Sequence, residues 1–391
     1  MTVACPVVEV EAIPLVTSAA FGDLDASRET IVVRVVDADG RVGVGEADAP
    51  AQVVRELVQM DDLFSWSRGL RSIVVGRDPF ELQATQAAML DGTIYHGRRG
   101  LGVHAVSAVD IALHDLVGKQ LGRPAYQLLG GARRTAVVPY ATIWPGTPRG
   151  RSIREVMDAI GVLFERAIAL GFGAVKMEVV FEDAVDDRGL VDCIREGRRR
   201  LGSEPALLLD FGYRWHHWRD AAWVLDRIED CDVFLAEATL QHDDMDGHAR
   251  LASRVRTRVA GGEFAATVQE CREWIERGRV DVLQPDVNRC GGLTELRRIA
   301  ELAGHHGVEV VPHGWKTGIT AAAARHFQAA TPNAPYVEMY HAELFHSTLR
   351  SELTGPDPTI HDGVIDLPTA PGLGIEVDDD VVTRFRTDVR A

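Results

Sequence analysis

From residue 136 onward the chain alternates short apolar runs with longer amphipathic stretches. The runs cover 136–140, 174–177, 206–209, 233–236, 258–260, 280–284, 308–311 and 336–337. Between them apolar residues recur at helical spacing, as in Leu293, Leu296, Ile299, Ala300, Leu302 and Ala303. Eight strands separated by helices, at a repeat of roughly 25 residues, predict a closed parallel barrel with outer helices. A doubly wound open sheet is the competing layout. Upstream the rhythm differs. A β-branched run at 29–36, a turn at 37–41 and a returning run at 42–46 predict a strand pair. Helical patterns follow at about 78–90 and 103–120, the second stopping near Gly122 and Pro124. Residues 1 to about 132 therefore form a separate α+β unit.

The apolar runs end at charged or ionisable residues: Lys176, Asp210, Glu237, Glu263, Asp286, His313 and Glu338. In a barrel, side chains at the C-terminal strand ends meet at one mouth, whereas an open sheet strings them out in a line. That difference favours the barrel. Taken singly, a carboxylate after a strand is ordinarily a helix cap or a solvated loop residue, and a lone histidine is ordinarily structural. Taken together, Asp210, Glu237 and Glu263 would repel one another in a partly buried mouth and need a cation. Three carboxylates without Cys or His suit a hard divalent ion, Mg²⁺ before Mn²⁺.

Composition narrows the classes. Of 391 residues, 46% are hydrophobic and 26% charged, the balance of a globular protein. No stretch holds 18 consecutive apolar residues, so no membrane span is expected. The opening residues lack a basic leader and a long apolar stretch, so no secretory signal is expected either. Five scattered Cys without a CxxC pair argue against a disulfide framework or a zinc site and favour the cytoplasm. A net charge of −16 argues against nucleic acid or an anionic membrane as partner. A small anionic carboxylate substrate then needs local positive charge, which a divalent ion would supply.

Several motifs occur in order: SAVDIALHDLVG at 107–118, Pro124 and LLGG at 128–131, EATLQHDD at 237–244, and Gly262 before Glu263. Gln284-Pro285-Asp286 follows, with Gly291-Gly292 and then PGLG at 371–374. On these motifs the chain resembles the enolase superfamily, in its mandelate racemase-like subgroup, over nearly its whole length. The resemblance implies an α/β fold, a (β/α)7β modified TIM barrel over 133–348. An N-terminal α+β capping domain would cover 1–132, and a C-terminal segment, 349–391, would pack back onto the cap. It implies that Asp210, Glu237 and Glu263 bind one Mg²⁺. It also implies that His313 and Asp286 form a His–Asp dyad with His313 as base, and that Glu338 hydrogen-bonds the substrate carboxylate. Two cap loops, near 17–22 and 47–50, would close over the mouth and bring Thr17, Phe21 and Asp48 to the substrate. A homo-oligomer is implied as well. Other subgroups place a Lys base where Asp286 stands, so cycloisomerases and dipeptide epimerases are not expected.

A proton beside a carboxylate is very weakly acidic, and a divalent ion on the carboxylate oxygens stabilises the charge that develops when it leaves. His313 titrates near neutrality, with Asp286 to fix its tautomer; a protonated Glu338 would assist. On the second barrel strand, related enzymes often carry Lys-x-Lys, the second Lys serving as base on the opposite face. This chain has Lys176-Met177-Glu178. Period-2 alternation points Lys176 and Glu178 to one side. They form either an ion pair or a division of labour, Lys176 on the substrate carboxylate and Glu178 on a hydroxyl. Racemisation needs two bases; dehydration needs one base and an acid, which one His can provide in turn. The expected function is therefore Mg²⁺-dependent dehydration of an acid sugar, an aldonate or aldarate. His313 would take the α-proton to give a metal-stabilised enediolate, and loss of the β-hydroxyl would give a 2-keto-3-deoxy acid. A racemase or epimerase is the alternative, and a non-catalytic relative the last. Tyr213 and Lys316 are further candidate substrate contacts, Lys316 for a distal hydroxyl or a second carboxylate.

Overall fold

The computed structural model describes residues 5–17, 28–181, 184–345 and 347–387; Phe21 lies outside the described residues. The cap opens with an antiparallel sheet of β1 (Val7–Val16), β2 (Glu29–Asp37) and β3 (Val42–Ala47), in that order. Helices α1 (Ala51–Gln59), α2 (Leu70–Val74), α3 (Leu82–Gly92) and α4 (Leu101–Leu121) follow it. The predicted strand pair is present. β1 was not predicted: its acids Glu9 and Glu11 and its Pro14 blur the apolar signal, and its place at the sheet edge tolerates all three. Helix α4 is apolar and long enough to cross a membrane, yet 89% of its most apolar window is buried inside the protein. It is the central helix between cap sheet and barrel.

The barrel sheet holds eight parallel strands: β5 (Pro139–Ile143), β6 (Ala174–Glu178), β7 (Ala206–Asp210), β8 (Val233–Glu237), β9 (Arg258–Gly261), β10 (Val282–Leu283), β11 (Glu309–Val310) and β12 (Val337–Met339). Their spatial order runs β11-β10-β9-β8-β7-β6-β5-β12. Seven helices alternate with them: α5 (Ile153–Ala169), α6 (Asp187–Leu201), α7 (Trp218–Arg227), α8 (Met245–Ala252), α9 (Thr267–Glu276), α10 (Gly292–His305) and α11 (Gly318–Ala330). This is the (β/α)7β layout. The first predicted barrel run, 136–140, is divided. Its start, β4 (Ala136–Val137), pairs antiparallel with β13 (Ile365–Asp366), and only β5 enters the barrel. The ladder changes partner at Val138, whose N–H and C=O are both met by the Gln328 side chain. Short helices α12 (Thr348–Glu352) and α13 (Asp379–Phe385) complete the chain.

Inside the barrel, Tyr140, Ala174, Leu208, Leu235, Ala260, Val282 and Val311 form a buried apolar layer. The next inward position along β6, β7 and β8 carries the polar residues of the mouth, as alternation requires. The cap is locked onto this mouth through side chains. Gly291 N–H donates to Ser107 Oγ, and Asp110 accepts from Thr294 N–H and Oγ1. Gly292 has φ +81°, and a Cβ there would lie 2.4 Å from an Asp110 oxygen, so only glycine lets α4 approach. Asp115 accepts from Val44 N–H and from Leu373 N–H, tying cap sheet and C-terminal segment to α4.

Candidate functional site

Lys176 and Glu178 lie on the same side of β6, and Glu178 stands in register with Asp210 on β7. Asp210 is in turn in register with Glu237 on β8. Three adjacent strands thus deliver three carboxylates side by side. Lys176, almost fully buried, reaches Glu338 at 2.8 Å, Glu237 at 2.9 Å and Asp210 at 3.8 Å. Its ion pairs run to these three and not to Glu178, so the structural Lys176–Glu178 pair is not formed. One ammonium cannot satisfy them all. Burial pushes Glu237 up to about 8, with Asp210, Glu338 and Glu263 adding to the effect against Lys176. Burial likewise raises Asp210, with Glu178 next in strength. Glu178 is pushed up to about 8 by burial, and by Glu237, Glu338 and Glu263 against Lys176.

Glu338 behaves in the opposite way. Burial would raise it, but Lys176 and His313 outweigh burial and hold it near 2. It also accepts from Thr142 Oγ1 and from Gly314 N–H. The sequence made Glu338's help conditional on a proton; in this arrangement Lys176 and His313 favour its ionised form.

Glu263 faces the other half of the mouth. It accepts from Tyr213 Oη at 2.6 Å and lies 3.2 Å from both Arg289 Nη1 and His313 Nε2. Tyr213, predicted to read the substrate, instead orients this carboxylate from a backbone held at φ +61°. His313 Nδ1 lies 2.6 Å from Asp286 Oδ2, and Asp286 is fully buried. Asp286 is itself fixed by Asn288 N–H. Burial works against a charged imidazole, but Glu263 and then Asp286 outweigh it and push His313 up to about 10.

The cap contributes one of its predicted residues directly. Asp48 Oδ1 lies 3.1 Å from Lys316 Nζ, and Oδ2 accepts from Arg289 Nε at 2.9 Å. Burial would raise Asp48, but Arg289 and Lys316 hold it well below the usual carboxylate range. Thr17 is buried, and both its N–H and its hydroxyl donate to Arg28 C=O. Two residues were missed in the sequence. Arg289 links Asp48, Glu263 and the neighbourhood of Asp286, and stacks on Phe264. Its only sequence signal was its place three residues after Asp286. Glu46, fully buried in β3, accepts from Thr317 and Thr320 at the start of α11, and pairs with Thr30. It seats the cap against the loop that carries His313 and Lys316.

The donor set fits a hard divalent ion. Asp210, Glu237 and Glu263 offer only carboxylate oxygens, and Glu237 Oε1 is buried without a hydrogen-bond partner. Among the described residues, no three acids or histidines converge closely enough to hold an ion as they stand. Lys176 draws Glu237 and Asp210 to one side, while Arg289 and His313 draw Glu263 to the other. Glu263 is the carboxylate of the three that is engaged by His313.

Two family models match the chain: "Mandelate racemase / muconate lactonizing enzyme, N-terminal domain" over residues 2–130 and "Enolase C-terminal domain-like" over 160–381. The chain is 32% identical over 364 residues to D-galactarolactone cycloisomerase of Agrobacterium fabrum, covering 92% of each chain. It is also 32% identical over 365 residues to L-rhamnonate dehydratase of Saccharopolyspora erythraea, covering 91% of this chain and 85% of the other. Among solved structures, a racemase from Streptomyces coelicolor A3(2) with bound magnesium superposes with a TM-score of 0.82 at 25% identity, covering 97% of this chain and all of the other. A cycloisomerase thus stands among these relatives, an activity that the sequence made unexpected.

Proposed function

The chain belongs to the enolase superfamily, in its mandelate racemase-like subgroup, and from that premise we propose that it is a Mg²⁺-dependent dehydratase of an acid sugar. The observation that carries this reading is the His313–Asp286 dyad. His313 is held by Asp286 and aims Nε2 at the mouth, while Lys176 is locked among three carboxylates. A second base for the opposite substrate face is not offered by β6, where Glu178 stands.

Asp210, Glu237 and Glu263 would hold the ion. When bound, it supplies Lewis-acid stabilisation of the negative charge that builds on the substrate carboxylate. Lys176 adds a fixed positive charge beside that carboxylate, and Glu338 holds the Lys176 ammonium in place. Asp286 accepts from His313 Nδ1–H, leaving the Nε2 lone pair to take the α-proton. The C–H electron pair moves into the carboxylate to give an enediolate. That pair then returns, the β-carbon–oxygen bond breaks, and His313 gives its proton to the departing hydroxide, releasing water. The enol left behind tautomerises to a 2-keto-3-deoxy acid. Glu178, in register with Asp210, meets a substrate hydroxyl.

A second reading is favoured by the similarity to D-galactarolactone cycloisomerase. The same α-proton removal then expels a ring oxygen rather than hydroxide. A panel of aldonates, aldarates and their lactones with Mg²⁺, read for 2-keto acid, tests both. Keto product from open-chain acids supports dehydration; product from lactones alone would replace it with ring opening.

His313 must be neutral to accept a proton, and Glu263 is its strongest charged neighbour. Adding Mg²⁺ is therefore expected to lower the His313 pKa from about 10 toward neutrality, by an NMR titration of the imidazole with and without the ion. An unchanged value would mean that Glu263 does not leave His313 for the ion.

A further inference from the structure

The outer part of the mouth is built around one anion. Asp48 on the cap is shared between Lys316 and Arg289, and its backbone C=O is pinned by His104 Nδ1 at 2.9 Å. Lys316 also donates to Glu29 C=O, and Arg289 also faces Glu263. Beside them opens a cleft of about 550 Å³ whose charged lining, among the described residues, is Arg28, Glu29, Asp48 and Lys316, two cations and two anions. Arg289 joins Asp48 to Glu263, which faces His313 Nε2, so the anion of this cleft is two side chains from the base.

A second carboxylate entering here would need positive charge to spare. Both buried cations already face Asp48, and a new anion on either would stand close beside it, where like charges repel strongly in a desolvated cleft. Arg28 is exposed at the rim, where solvent and salt screen its charge. A hydroxyl meets no such cost: Asp48 accepts from it and Lys316 donates to it, with every charge left as it is. We propose that Asp48 makes this mouth select acid sugars with a single carboxylate and an uncharged distal end, aldonates over aldarates. The inference rests on the acid-sugar reading of the same site and names its substrate class.

The test is a calorimetric titration of Mg²⁺-loaded His313→Asn protein, which binds without turnover, with six-carbon aldonates and the matching aldarates. The best aldonate is expected to bind at least tenfold more tightly than any aldarate. Equal or tighter aldarate binding, or no binding of either, overturns the proposal. In an added Asp48→Asn background, Lys316 and Arg289 lose their shared anion, and the preference should fall at least tenfold. An unchanged preference there overturns the role of Asp48. If that variant does not fold, the ratio in the first titration still decides. Selective aldonate binding without keto product from the wild type would refute dehydration and leave charge selection standing. Keto product from aldarates as fast as from aldonates would refute charge selection alone.

Discussion

His313→Asn is expected to lower kcat by about 10³–10⁴-fold, the upper range for loss of a positioned general acid–base. The loss should be large because His313 serves twice, taking the α-proton and then giving it to the leaving oxygen. Asn keeps the size and polarity of the site, so Asp286 retains a hydrogen-bond donor. Mg²⁺ affinity, set by carboxylates on other strands, should change by less than about tenfold, within what removing one neighbouring charge does. Steady-state kinetics with a Mg²⁺ titration read both. Turnover at the wild-type rate would show that another group is the base.

Lys176→Met should cost about 3–5 kcal/mol in the metal-free protein, the range for leaving buried charges without their partner. Lys176 is enclosed by Glu237, Glu338 and Asp210, and Met fills its volume without its charge. The pH dependence has a defined sign. Glu338 is held near 2 in the folded protein against 4.5 for an ordinary glutamate, so its pairing stabilises the fold above about 4.5 and is lost as pH falls through 2. In the variant that contribution disappears, and the stability gap to wild type should narrow as pH drops through that window. Urea midpoints at pH 7 and pH 3 measure it. A gap independent of pH would mean that Lys176 acts through packing rather than charge.

The strand-end residues were legible because barrel topology turns a repeat in sequence into a ring in space. Lys176, Asp210, Glu237, Asp286, His313 and Glu338 therefore meet, although nothing local links them. The motifs at 107–118, 291–292 and 371–374 were legible for another reason. Each is one side of a seam that admits a single residue type, such as Gly292 against Asp110 or Gly372 against Asp115. What stayed hidden depends on pairing across distance. Arg289 gains meaning only from Asp48, 241 residues away, and Glu46 only from Thr317 and Thr320 on the barrel. The charge state of Glu338 stayed open because spacing does not reveal that the Lys176 ammonium reaches it. For Tyr213 and Thr17 the sequence left a substrate contact and a structural role open, because a polar side chain in a loop looks the same whether it faces a ligand or the protein itself.

The central claim, one base acting on one face to expel water, is tested most directly by running the Mg²⁺-loaded enzyme in D₂O on its best acid-sugar substrate. Mass spectrometry and NMR would follow product and recovered substrate together. The account predicts a 2-keto-3-deoxy acid, with recovered substrate of unchanged configuration. Deuterium at the α-carbon with inverted configuration, and no keto product, would contradict it and establish a two-base epimerase instead.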